Sequence, residues 1–191
     1  MCGILGVFNH RGVAMSEQDL IRMRDCMTSR GPDDAGIFVC QDTEHFVGLG
    51  HRRLSIIDLS PLGRQPMATA DGSLWIVFNG EIFNYRELRD ILSGTGKYRF
   101  LSHSDTEVLL YGVREWGLEG CLKRIRGMYA FALYDKVEGS LTLVRDPLGV
   151  KPLYYLKDAS RVVFASEIKA ILAAPDVKPA INNQALYYYL T

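Results

Sequence analysis

Short apolar runs closed by turn residues constrain the fold of this chain more than any other feature. They fall at residues 4–8, 36–40, 46–50, 74–78, 128–134, 141–145, 153–156 and 162–165. Runs this short, bounded by glycine, asparagine or clustered polar residues, read as strands rather than helices. Three neighbouring pairs suit hairpins: 36–40 with 46–50, 128–134 with 141–145 across Glu138-Gly139-Ser140, and 153–156 with 162–165. Hairpins imply antiparallel sheets. The run 74–78 is expected to end at Asn79-Gly80, a common hairpin turn. Helical patterns fall between the strands. Ser16 with Asp19 opens a segment in which Leu20, Met23 and Met27 recur at helical spacing. Asn84 with Glu87 is expected to cap a short helix through Leu92. Ser104 with Glu107 makes a cleaner capping box, ahead of an amphipathic helix carrying Val108, Leu109, Tyr111 and Trp116. Residues 167–172 and 184–190 also read as helical. The pattern is α+β, with helices grouped to cover the outer faces of stacked sheets.

Composition narrows the function classes. A chain of 191 residues builds one sizeable domain with its own core. Lys+Arg and Asp+Glu are equal at 22 each, so there is no basic field for nucleic acid and no polybasic run for an anionic membrane. The four cysteines, at 2, 26, 40 and 121, lack C-x-x-C or paired spacing. That argues against a zinc site and a disulfide framework, and suits a reducing, cytoplasmic setting. No basic stretch leads into a long apolar one at the N-terminus, and no apolar run spans a bilayer.

Cys2 follows Met1 directly. Removal of Met1 would leave one residue carrying both a thiol and a free α-amine, a nucleophile and its general base together. A small buried cysteine opening a strand is the plainer reading. Five polar clusters carry the same ambiguity. Arg30-Gly31-Pro32-Asp33-Asp34 has turn chemistry. Arg52-Arg53 ends a strand as solvated arginine or as a bidentate partner for a carboxylate. Asn79-Gly80-Glu81 is a turn, or an amide and a backbone N–H converging on an oxyanion. Ser104-Asp105-Thr106-Glu107 opens a helix, and Arg145-Asp146-Pro147-Leu148-Gly149 is a turn between strands.

In order along the chain, these segments form a specific set: Cys2-Gly3-Ile4, Arg30-Gly31-Pro32-Asp33, His51 to Ile57, Asn79-Gly80-Glu81-Ile82-Phe83-Asn84, Ser104 to Val108, and Arg145 to Gly149 with Pro152-Leu153-Tyr154-Tyr155. The set resembles the class II, N-terminal-nucleophile glutamine amidotransferase domain. It is most similar to the glutaminase half of glutamine-hydrolysing asparagine synthetases, through Arg30-Gly31-Pro32-Asp33, Arg53-Leu54-Ser55-Ile56 and Phe164 to Lys169. The resemblance covers the whole chain, 1–191, as one domain. It implies a four-layer αββα sandwich of two antiparallel sheets flanked by helices. It implies that Cys2 attacks the side-chain amide of L-glutamine, and that Asn79 and the Gly80 N–H hold the oxyanion. Arg53 would bind the α-carboxylate, within a binding segment that includes Leu54, Ser55, Ile56 and Ile57. Asp105 would meet the α-ammonium, with the Glu81 main chain assisting. Glutamine is a zwitterion, so the site needs one fixed cation and one fixed anion.

The resemblance also implies a partner. Asparagine synthetases carry a second domain that adenylates aspartate through a Ser-Gly-Gly-x-Asp-Ser loop, and no such loop occurs here; Ser93-Gly94-Thr95-Gly96 is only a short glycine-rich turn. No cofactor or metal is expected in this chain, and ATP and magnesium are expected only in the synthetase domain. The chain stops in a tyrosine-rich apolar segment, which reads as an excised N-terminal domain, with a free-standing glutaminase subunit as the competitor. Two other functions stay open: an N-terminal-nucleophile amidohydrolase acting on another amide, and a catalytically silent regulatory domain.

Overall fold

Every position of strand β1 (Gly3–Asn9) is buried, so the strand sits inside a sheet covered on both faces. The computed structural model describes residues 1–10, 15–41 and 44–190. β1 pairs antiparallel with β3 (Phe46–Arg53) and β9 (Arg161–Ala165), and β2 (Asp34–Gln41) and β8 (Tyr154–Lys157) form the edges of a five-stranded sheet. A second sheet, of four strands, runs β4 (Met67–Ala68), β5 (Leu74–Ile82), β6 (Gly127–Asp135) and β7 (Ser140–Arg145). All pairings among the described residues are antiparallel, and the three expected hairpins are β2–β3, β6–β7 and β8–β9.

Alternation along the strands sorts the side chains into layers. Leu5 and Val7 of β1 pack with Leu20, Met23 and Met27 beneath α1 (Glu17–Asp25) and with Ala170 and Ile171 of α4 (Ile168–Leu172). Ile4 and Phe8 face the other way and meet Leu49, Val77, Ala130, Ala132 and Phe164 between the sheets. On the far sheet, Ile76 and Phe78 pack beneath α2 (Tyr85–Gly94) and α3 (Asp105–Leu122). The result is helices, sheet, sheet, helices: the four-layer αββα sandwich. The last helix, α5 (Asn183–Leu190), buries no residue.

Local expectations depart from the structure at four places. β5 does not end at Asn79-Gly80; it continues to Ile82, with Asn79 opposite Ala130 and Gly80 opposite Tyr129. Asn-Gly turns when nothing pairs with it, but here β6 lies alongside and takes up the ladder. A Cβ at Gly80 would collide with the Met128 carbonyl oxygen, so only glycine lets β6 approach this closely. Ser104 does cap α3, accepting from Thr106 N at 3.1 Å, but Glu107 does not complete a capping box. Its carboxylate instead accepts from Leu101 N, Ser102 N and Ser102 Oγ, and so folds the preceding loop. Asn84 makes no side-chain cap; it accepts from Arg126 N and donates to the Arg124 carbonyl. The first half of α3 is not amphipathic, because residues 105–113 are all buried. α2 and the loop carrying Tyr98 and Phe100 cover its outer side, where both rings meet Tyr111. The helix breaks at Gly117, whose φ of 68° is the left-handed region that glycine adopts without steric cost.

Candidate active site

Strand parity brings the sequence-predicted site residues together. Cys2 shares the face of Ile4, His51 and Arg53 share the face of Leu49, and Asn79 shares the face of Val77. All three rows point into the gap between the sheets, whose apolar filling is Ile4, Leu49 and Val77. At one end of the sandwich that filling gives way to polar groups. There Cys2, Arg53, Asn79, Gly80 and Asp105 line a single cleft of about 230 Å³.

The Cys2 thiol is held by one residue of the opposite loop. Sγ donates to the Leu54 carbonyl at 3.6 Å and accepts from Leu54 N at 3.4 Å. Burial pushes the thiol up from its ordinary value; the Leu54 hydrogen bond, the N-terminal charge and Arg53 oppose this, and burial wins. The resting sulfur is therefore a thiol that needs a base. The Cys2 carbonyl accepts from Arg30 Nε at 2.9 Å, and Arg30 Nη1 reaches Glu167 at 3.4 Å. The turn segment Arg30-Gly31-Pro32-Asp33 thus fixes the main chain of Cys2. Beside it, Ile4 N donates to Ser166 Oγ at 3.0 Å.

Asn79 is 1% exposed, and among the described residues its Nδ2 has no hydrogen-bond partner. A buried amide N–H₂ without an acceptor costs about 1–3 kcal/mol, so it marks a place where a ligand oxygen belongs. Its neighbour Phe78 is pinned on both sides. Phe78 N donates to Gln65 Oε1 at 2.6 Å, Gln65 Nε2 donates to Thr106 Oγ1 at 3.1 Å, and the Phe78 carbonyl accepts from His51 Nε2 at 3.1 Å. A carbonyl only accepts, so His51 carries its proton on Nε2. Burial pushes His51 down to about 4, against the raising effect of the Phe78 bond, and so leaves it neutral.

Arg53 ends β3 and is buried. Nη1 donates to the Ser60 carbonyl at 2.8 Å, and Nη2 donates to the Asp58 carbonyl. Of the five N–H groups of a guanidinium, these bonds occupy two. Asp105 opens α3, and its Oδ2 accepts from Ile82 N at 2.9 Å. Burial pushes its carboxyl up to about 6, against the lowering effect of the N–H donors of Ile82 and Thr106, with nearby Glu81 adding to the rise. A cation placed against this carboxylate would relieve that cost. The cleft therefore presents a guanidinium, a carboxylate in want of a cation, a thiol and an orphaned amide donor.

Leu54, Ile56, Ile57 and Glu81 line the same cleft. Ser55 is the exception among the sequence-predicted binding residues: it is absent from the lining, and its N–H donates to Asp33 Oδ2 at 2.8 Å. That bond ties the segment to the Arg30-Gly31-Pro32-Asp33 turn. Sequence reasoning did not single out Gln65, Asp58 or Lys151, which also line the cleft. Each has a partner distant in sequence: Gln65 meets Thr106, Asp58 meets His103 N, and Lys151 meets Met1. Lys151 is buried, and its Nζ lies 3.4 Å from Met1 Sδ.

The family profile described as a glutamine amidotransferase domain matches residues 1–191. The chain is 43% identical over 189 residues to glutamine-hydrolysing asparagine synthetase 3 of Bacillus subtilis (strain 168), covering 97% of this chain and 30% of that protein. It is 45% identical over 195 residues to asparagine synthetase 1 of the same organism, covering 100% of this chain and 29% of the relative. The chain thus spans under a third of the length of these curated relatives. Among solved structures, the glutamine phosphoribosylpyrophosphate amidotransferase of B. subtilis has a TM-score of 0.72 at 23% identity, over 89% of this chain and 43% of that one; the likeness is one of fold.

Proposed function

Since this chain belongs to the glutamine amidotransferase domain family, we propose that it hydrolyses L-glutamine to L-glutamate and ammonia through a thioester on Cys2. The observation that carries the reading is the orphaned Asn79 Nδ2, in the same cleft as the Cys2 thiol, the Arg53 guanidinium and the Asp105 carboxylate. An amide carbonyl that becomes an oxyanion supplies the acceptor that Asn79 lacks.

The steps follow from these groups. While Met1 is attached, the Cys2 nitrogen is an amide and takes no proton; removal of Met1 frees an α-amine. Arg53 takes the substrate α-carboxylate and Asp105 the α-ammonium, which lays the carboxamide against Sγ. The amine accepts the thiol proton as sulfur forms a bond to the carboxamide carbon. Asn79 Nδ2–H and Gly80 N–H stabilise the oxyanion. The same proton passes to the departing nitrogen, the C–N bond breaks, and ammonia leaves a γ-glutamyl thioester. Water then adds to the thioester, and loss of sulfur gives glutamate and restores the thiol. The ammonia is handed to an ATP-dependent synthetase domain, of the same polypeptide or of a partner subunit, that converts aspartate to asparagine. ATP and magnesium serve that domain.

The test is glutamate release from L-glutamine by the purified chain. Release is expected without ATP, magnesium or aspartate, and none is expected from Cys2→Ala. A glutamine-mimicking diazo-ketone should label Cys2 and leave Cys26, Cys40 and Cys121 unmodified. Turnover by Cys2→Ala, label on another cysteine, or strict ATP dependence would overturn the reading.

A further inference from the structure

Asp58 links the two halves of the cleft that carry opposite charge. It is buried and lies five residues beyond Arg53 in sequence. Its main-chain carbonyl accepts from Arg53 Nη2, and the Ser60 carbonyl accepts from Arg53 Nη1 at 2.8 Å. The side chain organises the same loop, because Oδ1 accepts from Ser60 N at 2.7 Å. Oδ2 reaches in the other direction and accepts from His103 N at 2.7 Å. His103 immediately precedes Ser104, the residue that caps α3 at Asp105. One carboxylate therefore joins the loop that grips the guanidinium to the loop that launches the anionic helix start. Burial alone would push this carboxyl up, but the donors from Ser60 and His103 and the Arg53 charge outweigh burial and hold it below its ordinary value. Asp58 thus stays charged and keeps both bonds.

We propose that Asp58 is a positioning residue that sets the separation between Arg53 and Asp105, and so selects an α-amino-acid zwitterion over amides that lack one of its charges. The inference rests on the glutaminase reading above. A bidentate cation and a carboxylate bind a zwitterion together only when their spacing matches it; a shift of either leaves one charge unpaired. Arg53 ends β3 and Asp105 opens α3, so no strand ladder fixes that spacing, and Asp58 bridges directly between the loop after β3 and the loop before α3.

Two substitutions isolate the bridge. Asp58→Asn keeps the volume and one acceptor for Ser60 N, but turns N–H groups toward the His103 N–H. Asp58→Ser keeps a short acceptor for the Ser60 turn and cannot span to His103. With Cys2 intact, both variants are expected to raise KM for L-glutamine by about tenfold or more, the effect of losing a charge-assisted hydrogen bond. Turnover number is expected to stay within a few-fold. The preference for L-glutamine over its deamino analogue, 4-carbamoylbutanoate, is expected to fall in parallel. An unchanged KM, a fall in kcat alone, or equal losses on both substrates would overturn the proposal. Circular dichroism checks folding, and if both variants unfold, Asp58 is a folding residue and the proposal is also overturned. Calorimetric binding of L-glutamine in the Cys2→Ala background separates this inference from the one beneath it. A wild-type chain that does not hydrolyse L-glutamine, although its Cys2→Ala form binds it, defeats the hydrolytic reading alone. Asp58 variants that bind as tightly as their parent defeat the positioning role, and a parent that binds no L-glutamine defeats both.

Discussion

Asp105→Asn is expected to make the protein more stable and less able to bind glutamine. The carboxyl of Asp105 is pushed from its ordinary 3.8 to about 6, chiefly by burial. At 1.36 kcal/mol for each tenfold change in proton affinity, that rise means the folded chain carries about 3 kcal/mol of unfavourable free energy at pH 7 to keep the group charged. Asparagine keeps an oxygen to accept from Ile82 N but carries no charge to bury. The gain at pH 7 is therefore expected at about 1–3 kcal/mol, the lower end allowing for an imperfectly partnered amide. For a domain of this size that is a rise in Tm of roughly 2–10 °C. The sign with pH is fixed. Above about 6 the wild-type folded state bears the full cost. As pH falls from 6 toward 3.8, the folded carboxyl takes up a proton before the unfolded one does. Wild type then gains on the variant, and the difference closes below 3.8. Function moves the other way. Losing one partner of a desolvated ion pair costs about 2–5 kcal/mol, so KM for glutamine should rise by at least about thirtyfold. In wild type, KM should rise as pH drops through about 6, where the carboxylate is lost. Calorimetric unfolding of both proteins from pH 4 to 8, with steady-state kinetics, checks all of this. A variant less stable than wild type at pH 7, or a Tm difference that does not change with pH, would show that the N–H donors at the start of α3 outweigh burial, and the reasoning would fail.

Two further substitutions separate binding from chemistry. Asn79→Ala removes a donor that has no partner among the described residues, so it should leave stability unchanged or raise it while lowering kcat by about 10²–10³-fold; a change confined to KM would contradict the oxyanion role. Arg53→Lys keeps the charge but loses the planar fork that holds Asp58 and Ser60 while leaving N–H groups for a carboxylate. KM should rise with kcat little altered, and normal KM in the lysine variant would remove Arg53 from carboxylate recognition.

The sheet-and-helix order was legible because it depends on local pattern. The hairpins β2–β3, β6–β7 and β8–β9 join runs a few residues apart, and the period of the apolar residues distinguishes strand from helix wherever one face is buried. Pattern failed where a segment outside the element supplied the partner. Asn79-Gly80 reads as a turn until β6 pairs with it, and Glu107 reads as half of a capping box until the loop at 101 and 102 offers it three donors. The amphipathic reading of α3 failed for the same reason, since the loop that covers its outer side lies earlier in the chain.

The identity of the candidate groups in the cleft belongs to the sequence alone. A thiol next to Met1, an arginine after a strand, an asparagine before a glycine and an aspartate after a helix cap are chemical facts before any fold exists. Their convergence belongs to the tertiary structure. Cys2, Arg53, Asn79 and Asp105 sit on β1's leading edge, the end of β3, the middle of β5 and the start of α3, and they meet because two sheets stack with those faces inward. Only that stacking could reveal that Asn79 Nδ2 lacks a partner among the described residues, that burial raises Asp105, and that Asp58 joins the Arg53 loop to the loop before Asp105. Burial and hydrogen-bond partnership are properties of what surrounds a residue, and in this protein the surroundings come from segments tens of residues away.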